Sequence, residues 1–169
     1  ETIEIPPLAG IDPSEITDAT PAADTLRAAI SAASLTLAPK LAIVVDGGGV
    51  LCLADMVADI RLDAVPVMDG FAWRVSVGGD RETAKAVALL SREAVIQGAM
   101  TVVAALAALG PATRGRDLDA ATLSAALGSD RIPPALPSTS LIHPLGAHRV
   151  GDESVLGLVD GCAALGVPV

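Results

Sequence analysis

Leu37-Ala-Pro-Lys-Leu-Ala-Ile-Val-Val-Asp-Gly-Gly-Gly49, with Asp59-Ile-Arg-Leu-Asp63 shortly after it, decides how this chain reads. Leu41 to Val45 is an unbroken apolar run rich in branched side chains, which predicts a strand buried on both faces. Lys40 stands at the mouth of that strand, where an ammonium on a flexible stem can meet an anion at a sheet edge. At its exit, Asp46, Gly47, Gly48 and Gly49 form a turn that needs positive φ. Such a turn either cradles an anion on backbone amides or is only a tight hairpin turn, with Val50 to Leu53 as the returning strand.

Asp59 to Ala64 alternates, so Ile60, Leu62 and Ala64 share one face while Asp59, Arg61 and Asp63 are expected to face solvent. Phe71 to Val77 repeats the pattern, with Phe71, Trp73, Val75 and Val77 opposite Ala72, Arg74 and Ser76; Asp69-Gly70 supplies the turn between the two strands. If these strands pair, Arg61 and Arg74 lie side by side. They then either offer bidentate contacts to an acid or are solvated residues paired with Asp59 and Asp63.

Upstream, Pro6, Pro7, Pro13 and Pro21 mark an extended arm over 1–21, and Thr20-Pro21 opens a helix from about 21 to 35 with Thr20 as its cap. Downstream, Asp80 is expected to cap one long helix through Val87, Leu90, Ala94, Met100, Val103 and Leu106, stopped by Gly110-Pro111. Asp117 to Leu127 predicts a shorter helix closed by Gly128. Arg114-Gly-Arg116 before it can grip a carboxylate or cap an acidic neighbour. The expected fold is α+β, an antiparallel sheet covered by helices over 22–130, followed at 131–169 by a linker and one strand, Val155 to Val159, of a further unit.

Hydrophobic residues make up 51% of the 169 and charged residues 18%, which excludes wholesale disorder. A formal charge of −9 excludes a nucleic-acid partner, whose binding draws on clustered Lys and Arg. Ala94 to Leu109 is interrupted by Gln97 and falls short of the roughly 20 residues of a membrane span, so no membrane partner is expected. Glu1-Thr-Ile-Glu-Ile5 has no leader character, and Cys52 and Cys162 read as reduced thiols of a cytoplasmic protein. The two cysteines build neither a zinc nor an iron–sulfur spacing, and His143 and His148 read as loop histidines. No Walker loop, serine triad or dinucleotide fingerprint is present.

The stretches Pro7-Leu-Ala-Gly-Ile-Asp-Pro13, Lys40 to Gly49, Asp59 to Arg61, Trp73 to Gly79 and Arg114-Gly-Arg-Asp-Leu118 together resemble the sulfite/nitrite reductase superfamily, and within it the precorrin-3B synthases. The resemblance covers about 7–169. It implies a nitrite/sulfite reductase 4Fe-4S-domain-like α+β unit with the start of a ferredoxin-like half-domain at the C-terminus, from a protein with two pseudo-symmetric repeats around a tetrapyrrole. It also implies oxidation of a precorrin in aerobic cobalamin biosynthesis, using a 4Fe-4S cluster and molecular oxygen. By that resemblance Lys40 contacts the carboxylates of the tetrapyrrole (precorrin) substrate with Arg61 beside it, and Arg74 and Arg114 complete the candidate set. A cluster takes four thiolates, so none is expected within this chain, which alone should be catalytically silent. Its expected partners are the remaining half of the parent chain and, through apolar surface left open, a second copy in a homo-oligomer. Two other readings are a non-catalytic binding or scaffold module of the same fold and a sulfite or nitrite reductase fragment.

Overall fold

The structure is a computed structural model that describes residues 1–129, Leu136 and the backbone of three C-terminal strands. Strands β1 (Thr2–Glu4), β2 (Ala42–Asp46), β3 (Ala58–Val67), β4 (Gly70–Gly79) and β5 (Lys85–Leu90) form one sheet in that order. The first three run parallel, and β4 and β5 are antiparallel to their predecessors, so the sheet is mixed where a purely antiparallel one was expected. An apolar run reports burial but not direction, and direction here is set by the connections. Helix α1 (Thr20–Ala33) carries the chain between β1 and β2, and residues 47–57 carry it back to the start of β3. Val50 to Leu53 therefore belongs to a crossover and not to a returning hairpin strand.

Three further expectations are corrected. The arm contains β1, because its prolines begin only at Pro6 and leave Thr2 free to donate to the Leu41 carbonyl at 2.8 Å. Helix α1 is entered through Asp18, whose carboxylate accepts the Thr20 amide at 2.8 Å, and Thr20 itself makes no capping bond. The single long helix is a strand and a helix, β5 and then α2 (Val95–Leu109). Lys85-Ala-Val-Ala-Leu-Leu90 suits a buried strand as well as a helix face, and pairing with β4 decides between them. Asp80 instead closes a turn, accepting from the amides of Glu82 and Thr83 and from the Thr83 hydroxyl. A 3-10 turn at Gly115–Asp117 leads to α3 (Ala120–Ala126), capped by Asp119.

One face of the sheet packs on α1 and α2 through Leu26, Ile43, Ile60, Trp73, Val102 and Leu106, each side chain contributing about 1.5–3 kcal/mol by leaving water. A Cβ on Gly98 would come within 2.2 Å of Leu90 Cδ1, so the absence of a side chain there is what lets α2 settle against β5. Over β2 and β3 the opposite face is roofed by the 47–57 connection and the arm, where Leu8, Val50 and Leu51 pack together. Asp59, Arg61 and Asp63 are consequently buried, and the solvent-facing reading of that stripe is wrong. At the C-terminus β6 (Gly146–Val150), β7 (Glu153–Leu158) and β8 (Gly161–Leu165) form a separate antiparallel sheet, with the single strand expected at 155–159 falling largely on β7. The linker expected after 131 lies, apart from Leu136, outside the described residues, as does His143.

Candidate functional site

Asp59 organises the corner where β2 and β3 begin and β4 ends. Its Oδ1 accepts from Arg114 Nε at 2.9 Å and from the Gly115 amide at 2.8 Å, and its Oδ2 accepts from Arg114 Nη2 at 2.8 Å and the Ala42 amide at 3.0 Å. The fork of Arg114 is thereby held bidentate, and it reaches on to the carbonyls of Pro39 and Lys40 at 3.4 Å. Lys40, exposed and in a left-handed conformation at φ 61°, thus stands beside Arg114. Two glycines make the fit possible. A Cβ on Gly115 would lie 1.9 Å from the Asp59 carbonyl oxygen, and one on Gly78, at φ 62°, would lie 2.4 Å from Arg116 Cα.

A cavity of about 190 Å³ opens here, lined by Val57, Asp59, Gly78, Gly79, Arg114 and Arg116. Lys85 Nζ donates to the Arg116 carbonyl at 3.3 Å, and the Arg116 side chain is 77% exposed. Arg114 on Asp59, Arg116 near Asp117 and Lys85 on the Arg116 carbonyl thus gather basic side chains at this corner of a chain whose formal charge is −9, with the exposed Lys40 next to Arg114 through its backbone. Such a corner can hold a multiply charged anion. Lys85 and the two close-packed glycines were not in the candidate set. The signal for Gly78 was its place at the end of a strand, which marks a close backbone approach as readily as a stop.

Arg61 and Arg74 lie elsewhere. They share a face of the sheet, with Asp63 opposite Arg74 and Ser76 opposite Arg61, but that face is buried. Arg61 donates to Asp63 Oδ1 at 2.8 Å and Oδ2 at 3.3 Å, and to the carbonyls of Met56 at 2.6 Å and Leu53 at 3.1 Å. It clamps the crossover to the sheet and has little capacity left for a ligand. Arg74 Nη1 comes no closer to Asp63 than 3.9 Å, and its Nε and Nη1, like the Ser76 hydroxyl, have no hydrogen-bond partner. Desolvation pulls the Arg74 guanidinium below its ordinary pKa, Asp63 opposes this, and Arg61 and Arg81 reinforce it.

The turn Asp46 to Gly49 is filled by the chain's own carboxylates. Asp46 accepts the amides of Gly48 at 2.9 Å and Leu53 at 2.8 Å, and Asp12 accepts the Val50 amide at 2.6 Å. A Cβ on Gly47 would lie 2.0 Å from the Thr17 carbonyl oxygen, so the turn is where the arm docks. Desolvation raises the pKa of both Asp46 and Glu15 in this acidic neighbourhood. Among the described residues Cys52 is the one free cysteine, and no group of three or more His, Cys, Asp and Glu is placed to hold a metal. No helix among them is long and apolar enough to cross a membrane.

No family model matches the chain. Its structure is similar to that of the Mycobacterium tuberculosis NirA protein, with a TM-score of 0.69 over 97% of this chain and 35% of that one, at 22% sequence identity. The chain has the nitrite/sulfite reductase fold, an α+β unit around a mixed sheet. In sequence it is 45% identical over 163 residues to a precorrin-3B synthase from Sinorhizobium sp, covering 92% of this chain. The chain spans 35% of that relative's length.

Proposed function

We propose that the chain is the anion-holding part of a precorrin-3B synthase-like oxidoreductase of aerobic cobalamin biosynthesis, and that its basic corner receives carboxylate arms of a tetrapyrrole. The observation that supports this is a cavity lined by Arg114 and Arg116, with Arg114 fixed by Asp59 before any ligand arrives and with the backbone of the exposed Lys40 held against it. Arg114, most of whose N–H groups are already engaged, fixes the shape of the corner, and the exposed Arg116 and Lys40 supply the charge-assisted contacts to the ligand. The two cysteines of the sequence do not fit a 4Fe-4S cluster. A cluster in the parent protein takes its thiolates from outside this chain, and no oxidation step is assigned to the residues here. Cytoplasmic location, a precorrin as substrate and the rest of the parent chain as partner go with this reading.

Uroporphyrin, a tetrapyrrole with carboxylates on its arms, is the probe. Titrating it into the chain should change its absorbance saturably, with affinity falling as salt is raised. Lys40→Gln and Arg116→Gln should each weaken binding about fivefold, the equivalent of roughly 1 kcal/mol for a partly exposed charge. Affinity indifferent to both substitutions would overturn the assignment of the corner.

A further inference from the structure

A second cavity, of about 250 Å³, lies at the opposite end of the sheet, beneath the first turns of α1 and α2. Trp73 and Phe71 line it from β4, where Phe71 pairs with Pro66. Pro66 is roughly 20 Å along β3 from Asp59 at ~3.3 Å per residue, so this cavity is separate from the basic corner. The sequence contains one Phe, one Trp and no Tyr, and both aromatics line this one cavity. They meet edge to face, with ring centroids 5.9 Å apart and planes at 83°. In a chain that otherwise packs with aliphatic side chains, the half-buried Phe71 is the aromatic surface this floor offers a ligand, with the buried Trp73 edge-on beside it.

The rim supplies charge. Arg92 lies with its Cζ 5.1 Å from the Phe71 centroid and makes no hydrogen bond or ion pair among the described residues. Its neighbour Glu93 is engaged by the Ser91 hydroxyl at 2.7 Å. Trp73 is 2% exposed, and its ring borders the cavity. Asp18, the one carboxylate in the lining, already accepts the Thr20 amide and sits at the positive end of the α1 dipole, which offsets its charge. The Arg92 charge is felt by the neighbouring Glu93 carboxylate, but the two form no ion pair, so the guanidinium keeps its donors for an anion at the rim.

We infer that this cavity binds a small molecule with an apolar or aryl body and a terminal carboxylate, the body on Phe71 and Trp73 and the carboxylate on Arg92. The inference does not depend on the tetrapyrrole reading, which concerns the other end of the sheet.

Because Trp73 is the only tryptophan, its emission reports directly on the cavity. Phenylbutyrate should shift that emission saturably, with a dissociation constant on the order of 1 mM or tighter, and the uncharged phenylbutanol should bind at least about fivefold more weakly. Arg92→Gln should weaken phenylbutyrate about fivefold while affecting phenylbutanol less, and its urea midpoint should stay close to that of the native chain, since Arg92 is exposed. Arg27→Gln, which removes a surface charge from α1, should change neither affinity. No saturable shift, equal affinity for acid and alcohol, or an equal loss from Arg27→Gln would each overturn the inference.

Discussion

Arg61→Met tests the clamp on the buried face. The guanidinium is 0% exposed and makes two bonds to Asp63 and two to the crossover carbonyls of Leu53 and Met56. Methionine keeps the packing volume but leaves the Asp63 carboxylate buried, with Arg81 Nε at 3.7 Å and Arg74 Nη1 at 3.9 Å as its nearest remaining cations. Breaking a buried pair from one side costs about 3–5 kcal/mol, against a total stability of roughly 5–15 kcal/mol. At about 2–4 °C per kcal/mol for a chain of this size, the melting temperature should fall by roughly 6–20 °C. Urea unfolding followed through Trp73 measures the loss directly. Arg61→Met/Asp63→Leu removes both partners, and the cycle should return a coupling of at least about 1.5 kcal/mol. A loss under about 1 kcal/mol, or strictly additive single variants, would refute the clamp.

Arg74→Met on the same face should behave oppositely, staying within about 1 kcal/mol of the native chain or exceeding it, because the guanidinium it removes is buried without a hydrogen-bond partner at Nε and Nη1. A loss as large as that from Arg61→Met would show a partner that the geometry lacks. Stability against pH should rise and then fall on acidification. Glu15 and Asp46 are raised by desolvation, so the stability tied to their protonated forms is complete below about pH 4 and lost as pH climbs through their folded values. Asp80, Asp119 and Glu93 are lowered, chiefly by the hydroxyls of Thr83, Thr122 and Ser91, and their contributions are full above about pH 4.5 and lost as pH falls through the folded values. Urea midpoints should thus climb slightly as pH falls through the folded values of the raised pair and drop below about 4. Glu15→Gln should flatten the climb, and a steady decline from neutrality downward in the native chain would contradict the raised pair.

Periodicity made β3, β4 and α1 legible, because each has one strongly apolar side at the right repeat, and an unbroken apolar run did the same for β2. It could not separate β5 from the helix that follows, since six residues such as Lys85 to Leu90 satisfy both repeats until a neighbouring strand is present to pair with. The alternation in Asp59-Ile-Arg-Leu-Asp63 reports two faces but not which of them is wet, because a charged stripe looks the same whether water or a covering loop lies over it. One local hint existed. The stripe carries opposite charges two residues apart, which can neutralise each other on one face, as Arg61 and Asp63 do. Lys40 was named from its own strand and Arg114 from its own turn, but their meeting spans 74 positions and rests on Asp59, which no local pattern reports.

The two charged assemblies are mechanically one. Asp59, Arg61 and Asp63 project from the same face of β3, the first into the basic corner and the other two into the buried clamp. The crossover that Arg61 ties down through Leu53 and Met56 continues directly into Val57 and Ala58, which form one wall of the corner cavity. Loosening the clamp must therefore loosen that wall, while Arg114 keeps its own bidentate hold on Asp59. Arg61 then serves ligand binding without touching the ligand, by fixing the position of a backbone segment. That accounts for a buried arginine whose donors are nearly all engaged standing two residues from the carboxylate that organises the corner.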